Sequence, residues 1–195
     1  MQKNDKSLIQ AHVRGDKTAF EQLVRRYGPG VLGYLTKITG NRQRAEDLFQ
    51  ETFRRVHEKA HQLRSDQFKG WLFKIATNVA MDGMRRKKQM RPISLNQTSD
   101  CTNGCDSLAD LAVADNSAEP SQQLIKAEQR NRVRNCIESL PDKQRTTLVL
   151  AYYEQLSYSQ VAQVLNCSVG TVKTQMFRAL KKLAKQLPEL DRGPK

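Results

Sequence analysis

The chain has 195 residues with 33 Lys+Arg against 20 Asp+Glu, a formal net charge of +13. That length holds one or two small domains, each able to bury a core. No apolar run approaches the ~20 residues of a membrane-crossing helix, and the opening MQKNDKSLIQ lacks the apolar centre of a signal peptide, so a soluble, cytoplasmic protein without membrane insertion is expected.

The charge is unevenly placed. Residues 1–92 carry 20 Lys+Arg against 9 Asp+Glu, residues 93–125 carry none against 5, and residues 126–195 carry 13 against 6. Two basic blocks around an acidic connector suit a polyanion gripped in two places. Nucleic acid fits better than a membrane, because no helix combines a cationic side with a broad exposed apolar one.

Taken in order, residues 5–14 read as a short helix carrying Leu8, Ile9 and Val13 and stopped by Gly15. Asp16 then caps a second helix, in which Phe20, Leu23, Val24 and Tyr27 hold helical spacing. Gly28-Pro29-Gly30 is expected to interrupt or kink it before Val31, Leu32, Leu35 and Ile38 resume the stripe, and Gly40 and Asn41 end it. Arg44 to about His61 forms the next helix, with Ala45, Leu48, Phe49, Thr52, Phe53, Val56 and Ala60 on one side. Its other side holds Asp47, Gln50, Glu51 and Arg54, which reads either as solvated charge balanced by arginine or as a protein-docking face.

After a polar loop at residues 64–67, a fourth helix begins near Phe68 and runs toward Lys88, with Phe68, Trp71, Leu72, Ile75, Ala76 and Val79 inward. Lys74, Asn78 and Arg85 share a flank. Arg85-Arg86-Lys87-Lys88, with Arg91, exceeds what a helix terminus requires and points to phosphate contact. Residues 92–123 turn polar and acidic and read as a linker. Leu124 to Leu140 is a further helix, broken by Pro141 and restarted at Asp142, so that residues 124–187 form a compact three- or four-helix unit. The tail after Pro188 is expected to be disordered.

The most informative stretch is Leu156 to Leu183. Ser157 with Gln160 fits a capping box for a helix from about Tyr158 to Leu165, Asn166 and Cys167 supply a turn, and Ser168 caps a second helix. Val172, Met176, Ala179, Leu180 and Leu183 form its apolar face, while Lys173, Thr174, Phe177, Arg178 and Lys181 fall together opposite. This is a helix-turn-helix whose second helix offers cations, a hydroxyl and an aromatic to a major groove. The four cysteines set no metal or redox site: Cys136 and Cys167 read as small buried residues, and Cys101 and Cys105 as free thiols in a polar loop without a nearby histidine.

In sequence, GDKTAFEQLVRRYG, AEDLFQETF, FKGWLFKIATNVAMDGMRRKK and LPDKQRTTLVLAYYEQLSYSQVAQVLNCSVGTVKTQMFRALKKL resemble the extracytoplasmic-function (group IV) sigma factors of bacterial RNA polymerase, over roughly residues 7–187. The resemblance implies an all-α chain of two small helical domains joined by a flexible acidic linker: residues 1–92 as sigma region 2, 93–123 as linker and 124–187 as sigma region 4. It implies core RNA polymerase and promoter DNA as partners and admits an anti-sigma factor as a third.

By the same likeness, Asp47, Gln50 and Glu51 would meet the polymerase clamp. Asn78 would read a flipped base of the melted minus-10 strand, helped by Leu63, Arg64, Ser65 and Asp66, while Lys74, Arg85 and Arg86 hold its backbone. Thr171, Lys173, Thr174, Phe177 and Arg178 would read the minus-35 element. No cofactor, metal or small-molecule substrate is implied. Two other readings compete: a stand-alone helix-turn-helix regulator, which leaves the ~90-residue first block unexplained, and an enzyme acting on nucleic acid, which lacks paired carboxylates, a metal-ligand cluster or a Gly-rich phosphate loop.

Overall fold

The computed structural model describes residues 4–63, 67–90 and 120–187. Within them the chain is built of eight α-helices and no strands: α1 (Asp5–Val13), α2 (Lys17–Thr39), α3 (Arg42–Lys59), α4 (Phe68–Met90), α5 (Pro120–Glu138), α6 (Asp142–Leu148), α7 (Tyr158–Leu165) and α8 (Val169–Gln186). The linker cysteines Cys101 and Cys105, most of the acidic connector and the tail after residue 187 lie outside the described residues.

The first unit packs α2, α3 and α4 around Leu23, Val31, Tyr34, Leu35, Phe53, Val56, Leu72, Phe73 and Val79. The Asp16 carboxylate caps α2, accepting from the backbone N–H groups of Thr18 and Ala19 at 2.9 and 3.3 Å. Gly40, in the left-handed region at φ 63°, ends α2, and Asn41 starts α3 by accepting from the Arg44 N–H at 2.9 Å. Short helix α1 is pinned to α2 by Leu8 and Ile9, both buried, and by Asp5, which accepts from Arg26 and Tyr27. Val13, read as part of that apolar set, is 52 % exposed at the end of α1.

Helix α2 continues through Pro29 without the interruption read from Gly28-Pro29-Gly30. A proline removes one helical hydrogen bond, but α2 is held to the core on both sides of it by Leu23 and Val31. Gly28 also lets the Phe49 ring of α3 come within 3.5 Å of where a β-carbon would stand. Across α2 and α4, the fully buried Tyr34 hydroxyl lies 2.7 Å from Thr77 Oγ1, so the one polar atom that the ring carries into the core is satisfied. Phe73, absent from the stripe read for α4, is 1 % exposed and meets the Tyr34 ring edge-on at 5.4 Å.

The second unit begins at Pro120, four residues before the expected start, with proline at the first helical position where its missing N–H costs nothing. A π-helical turn at Val149–Tyr153 follows α6 directly. It closes with the Glu154 N–H on the Val149 carbonyl and, after Gln155 at φ 54°, the Leu156 N–H on the Leu150 carbonyl. The chain thereby reverses into α7. The two units also pack on each other, α7 lying along α4 and the π-helical turn against α2.

Candidate nucleic-acid interface

The helix-turn-helix forms as its sequence dictates. Ser157 and Gln160 make a complete capping box, with Ser157 Oγ accepting from the Gln160 N–H at 3.3 Å and Gln160 Oε1 from the Ser157 N–H at 2.9 Å. Val161, Ala162 and Val164 bury one side of α7, and Asn166 ends it in the left-handed conformation at φ 51°, which asparagine tolerates better than most residues. Ser168 Oγ then accepts from the Thr171 N–H at 3.1 Å and starts α8.

Val172, Met176 and Ala179 anchor α8 in the core, and Lys182 Nζ donates to the Ser139 carbonyl at 2.6 Å, tying its far end to the α5–α6 junction. Leu180, read as part of that buried face, is instead 52 % exposed: it lies on the boundary of the stripe, three residues from Phe177 on the open side.

Thr171, Lys173, Thr174, Phe177 and Arg178 are all exposed, as the sequence reading had them. Phe177 is 67 % exposed. The Thr174 hydroxyl donates to the Gly170 carbonyl at 3.0 Å, which fixes its orientation and leaves its oxygen free to accept. One face of α8 therefore carries two cations, two hydroxyl groups and an aromatic ring, with a rigid helix behind them.

In the first unit, Lys74, Asn78, Arg85 and Arg86 are exposed along α4, while Thr77 beside them turns inward. Leu63 is half-buried against the core, so it anchors the loop rather than projecting from it. Arg64, Ser65 and Asp66 lie outside the described residues. On α3, Asp47 and Gln50 are open to solvent. Glu51 is clamped: Arg54 Nε and Nη2 donate to it at 2.8 Å each and Arg55 Nε at 2.6 Å, and these bonds hold its carboxyl down to about 2. Arg55 reaches on toward Asp82 of α4 at 4.0 Å. The acidic face is thus a partly neutralised ridge with two free polar side chains at its crest.

What the sequence reading missed lies between the two units. Lys74, Thr77, Asn78 and Met81 of α4 face Val164 and Leu165 of α7, and the Asn166 that ends it, across a cavity of about 340 Å³. Nearby, Lys69 Nζ donates to the Glu154 carbonyl and Lys37 Nζ sits 4.6 Å above the Tyr153 ring. Glu154 is the single acidic residue between Asp142 and Glu189, a weak signal that gives no hint of its partners. Cys136 and Cys167 are free thiols and only partly buried. Among the described residues no cluster of three or more metal-ligating side chains occurs, and no helix is long and apolar enough to cross a membrane.

A helix-turn-helix unit with an open recognition helix, packed on a second basic helical unit, defines a two-part DNA-binding protein. Residues 23–90 match the sigma-70 region 2 family and residues 130–183 the sigma-70, region 4 family. The chain is 32 % identical over 192 residues to the RNA polymerase sigma-H factor of Pseudomonas aeruginosa, covering 97 % of this chain and 96 % of that one. It is 34 % identical over 186 residues to the ECF RNA polymerase sigma factor SigW of Bacillus subtilis, covering 95 % and 97 %.

In fold it is similar to CnrH, solved with the cytosolic domain of CnrY, at TM-score 0.67 and 23 % identity over 96 % of this chain and 99 % of that one. It is likewise similar to the Bartonella quintana sigma factor RpoE, solved with the anti-sigma factor NepR, at TM-score 0.65 and 22 % identity over 89 % and 98 %. The chain belongs to the extracytoplasmic-function RNA polymerase sigma factors.

Proposed function

We infer that the chain is an alternative sigma factor that binds core RNA polymerase in the cytoplasm and directs promoter-specific initiation, itself performing no chemistry. The observation that carries this reading is the pairing, in one chain, of an open recognition helix on α8 with a second exposed cationic and amide-bearing helix face on α4. A stand-alone regulator needs only the first.

In this reading Lys173, Thr174, Phe177 and Arg178, with Thr171 at the helix start, meet the minus-35 major groove. Arg178 and Lys173 supply donors to guanine edges or phosphates and Phe177 an apolar surface for thymine methyls. Asn78 pairs with an unstacked minus-10 base, for which its amide offers both a donor and an acceptor. Lys74, Arg85 and Arg86 neutralise backbone phosphates, and Leu63, Arg64, Ser65 and Asp66 assist Asn78 in reading the base.

Asp47, Gln50 and Glu51 dock on the polymerase. Glu51 releases Arg54 or Arg55 as it does so, an exchange of ion pairs at a half-exposed site that costs little. Each base contact is worth about 1–3 kcal/mol, so neither unit binds tightly alone, and specificity arises when core polymerase fixes their separation. An anti-sigma factor is a further partner of this arrangement, supported by the fold shared with a sigma factor solved beside an anti-sigma factor.

The test is runoff transcription with purified core polymerase on genomic fragments, comparing the parent chain with Asp47→Lys/Glu51→Lys. The parent yields discrete start sites and the variant loses them, with core association weakened at least tenfold. Unchanged transcription from the variant refutes the docking role.

A further inference from the structure

Helix α5 ends in a turn whose carbonyls are all occupied. The Ser139 N–H donates to Asn135, the Leu140 N–H to Ile137, Arg145 Nη1 to Glu138 at 3.0 Å and Lys182 Nζ to Ser139 at 2.6 Å. The Ser139 hydroxyl shares its proton between the Cys136 carbonyl at 2.8 Å and Gln186 Oε1 at 3.1 Å. Two cations, one from α6 and one from α8, thus meet the negative end of the α5 dipole. Arg145 also donates to Asp142 at 2.6 Å and its side chain is only 12 % exposed, so the junction is a fixed point.

Lys182 and Gln186 stand one turn apart on α8, and both end on Ser139. The apolar stripe of Val172, Met176 and Ala179 presses α8 on the core, but such contact is non-directional and sets the roll of a helix only loosely. A roll of about 10° carries side-chain atoms that lie about 5–6 Å from the axis through about 1 Å. Base contacts need placement to about 0.5 Å, so that roll is enough to lose one while the cations still reach phosphates. A phosphate contact is the competing role for a lysine at this place, and its surroundings argue against it. Lys181 and Lys185 on either side are exposed, whereas Lys182 is half-buried with its ammonium on a carbonyl.

We propose that Lys182 and Gln186 are positioning residues: by bonding Ser139 at the end of α5 they set the roll of α8, and so decide which bases its Thr171, Lys173, Thr174, Phe177 and Arg178 face distinguishes, without touching DNA themselves. This role rests on the reading of that face as the minus-35 contact. It divides the cations of α8 into two kinds. Lys173 and Arg178 are open to the duplex, and Lys182 is engaged inside the protein, holding them at one angle.

The test uses holoenzyme assembled from the full chain and core polymerase, on a promoter mapped from runoff start sites and on versions with one minus-35 base pair substituted. Lys182→Met removes the ammonium while keeping the length and helix preference of the side chain. Lys182→Met/Gln186→Leu removes both bonds, and Lys182→Arg returns a donor of similar reach. The readout is the ratio of transcript from the parent promoter to transcript from each substituted one, at limiting holoenzyme. Each ratio is taken within one holoenzyme, so loss of folded chain lowers both transcripts alike and leaves the ratio unchanged.

The ratio falls at least about fivefold in Lys182→Met/Gln186→Leu, as for the loss of one base contact, falls by less in Lys182→Met, and recovers in Lys182→Arg. Footprinting of the upstream duplex across salt concentrations shows the parent's salt slope in every variant. A uniform loss on all promoters, with the slope reduced by about one, would make Lys182 a phosphate contact and overturn the positioning role. An unchanged ratio in the double variant would overturn it as well, leaving the bonds to Ser139 a matter of stability alone. A parent holoenzyme that does not distinguish the promoters would remove the minus-35 reading and the positioning role with it, an outcome recognised in the parent before any variant is compared.

Discussion

Phe177→Ala separates recognition from folding more cleanly than any other substitution in this chain. A phenylalanine side chain buries roughly 200 Å² when fully enclosed. At 67 % exposure, about 130 Å² of it remains in water in the free protein. At about 25 cal/mol per Å², covering all of that area would stabilise the DNA complex by about 3 kcal/mol, which is a ceiling. A groove contact covers about half of an exposed ring, giving about 1.5 kcal/mol, or roughly tenfold in affinity. Folding should not suffer, because the ring contributes little to the core and alanine is the better helix former.

The assay pairs thermal unfolding of the free chain with runoff transcription at limiting holoenzyme, and with footprinting of the upstream duplex. The expected result is a melting temperature unchanged or slightly raised, with transcript and upstream protection both reduced roughly five- to thirtyfold. Normal transcription would refute the placement of Phe177 in the groove. A melting temperature lowered by several degrees would show that the ring belongs to the core.

Ser157→Ala removes one half of the capping box of α7 and should cost about 1 kcal/mol, lowering the melting temperature by about 2–4 °C while leaving core association intact. Glu51, held at about 2 by Arg54 and Arg55, should titrate by carboxyl-carbon NMR far below the ordinary 4.5. Because its folded value is depressed, the contribution of these ion pairs is complete above pH 4.5 and disappears as pH falls toward 2; a midpoint near 4.5 would show that the arginines are not engaged in solution.

Glu154→Gln keeps the bond from Lys69 to the residue-154 carbonyl while removing a charge that burial disfavours more than Lys69 and Lys37 favour it, so this variant should melt no lower than the parent at neutral pH. In the parent the raised carboxyl makes the contribution of Glu154 to stability greatest below its ordinary value and smaller as pH rises through the elevated one. A Glu154→Gln chain that melts several degrees lower would mean that Coulomb attraction to Lys37 and Lys69 outweighs the cost of burying the charge.

How much of this was legible in the sequence follows from which interactions are local. Capping by Ser157, Gln160, Ser168 and Asp16, and the apolar periodicity of α3, α7 and α8, depend on neighbours three or four residues away, and those elements form close to where they were read. The open face of α8 was legible for the same reason. Periodicity fails at the margins of a stripe: Val13 and Leu180 fit the spacing but lie where the partner helix ends, and Phe73 was passed over because α4 is enclosed on more than one side.

The interior of α2 was misjudged because proline propensity is local, whereas the packing of Leu23 and Val31 that carries the helix past Pro29 is not. The seat made by Gly30, Lys37, Lys69 and Glu154 joins residues as far as 124 positions apart and has no sequence pattern at all.

The central claim is that two basic helical units become a promoter reader only when core polymerase sets their separation. It is tested most directly by footprinting a promoter, mapped from runoff start sites, with the purified chain alone and with the chain plus core polymerase at the same salt concentration. Protection of both the minus-35 duplex and the minus-10 strand only in the presence of core is the predicted result. Equally strong and specific protection of both elements by the chain alone would contradict it.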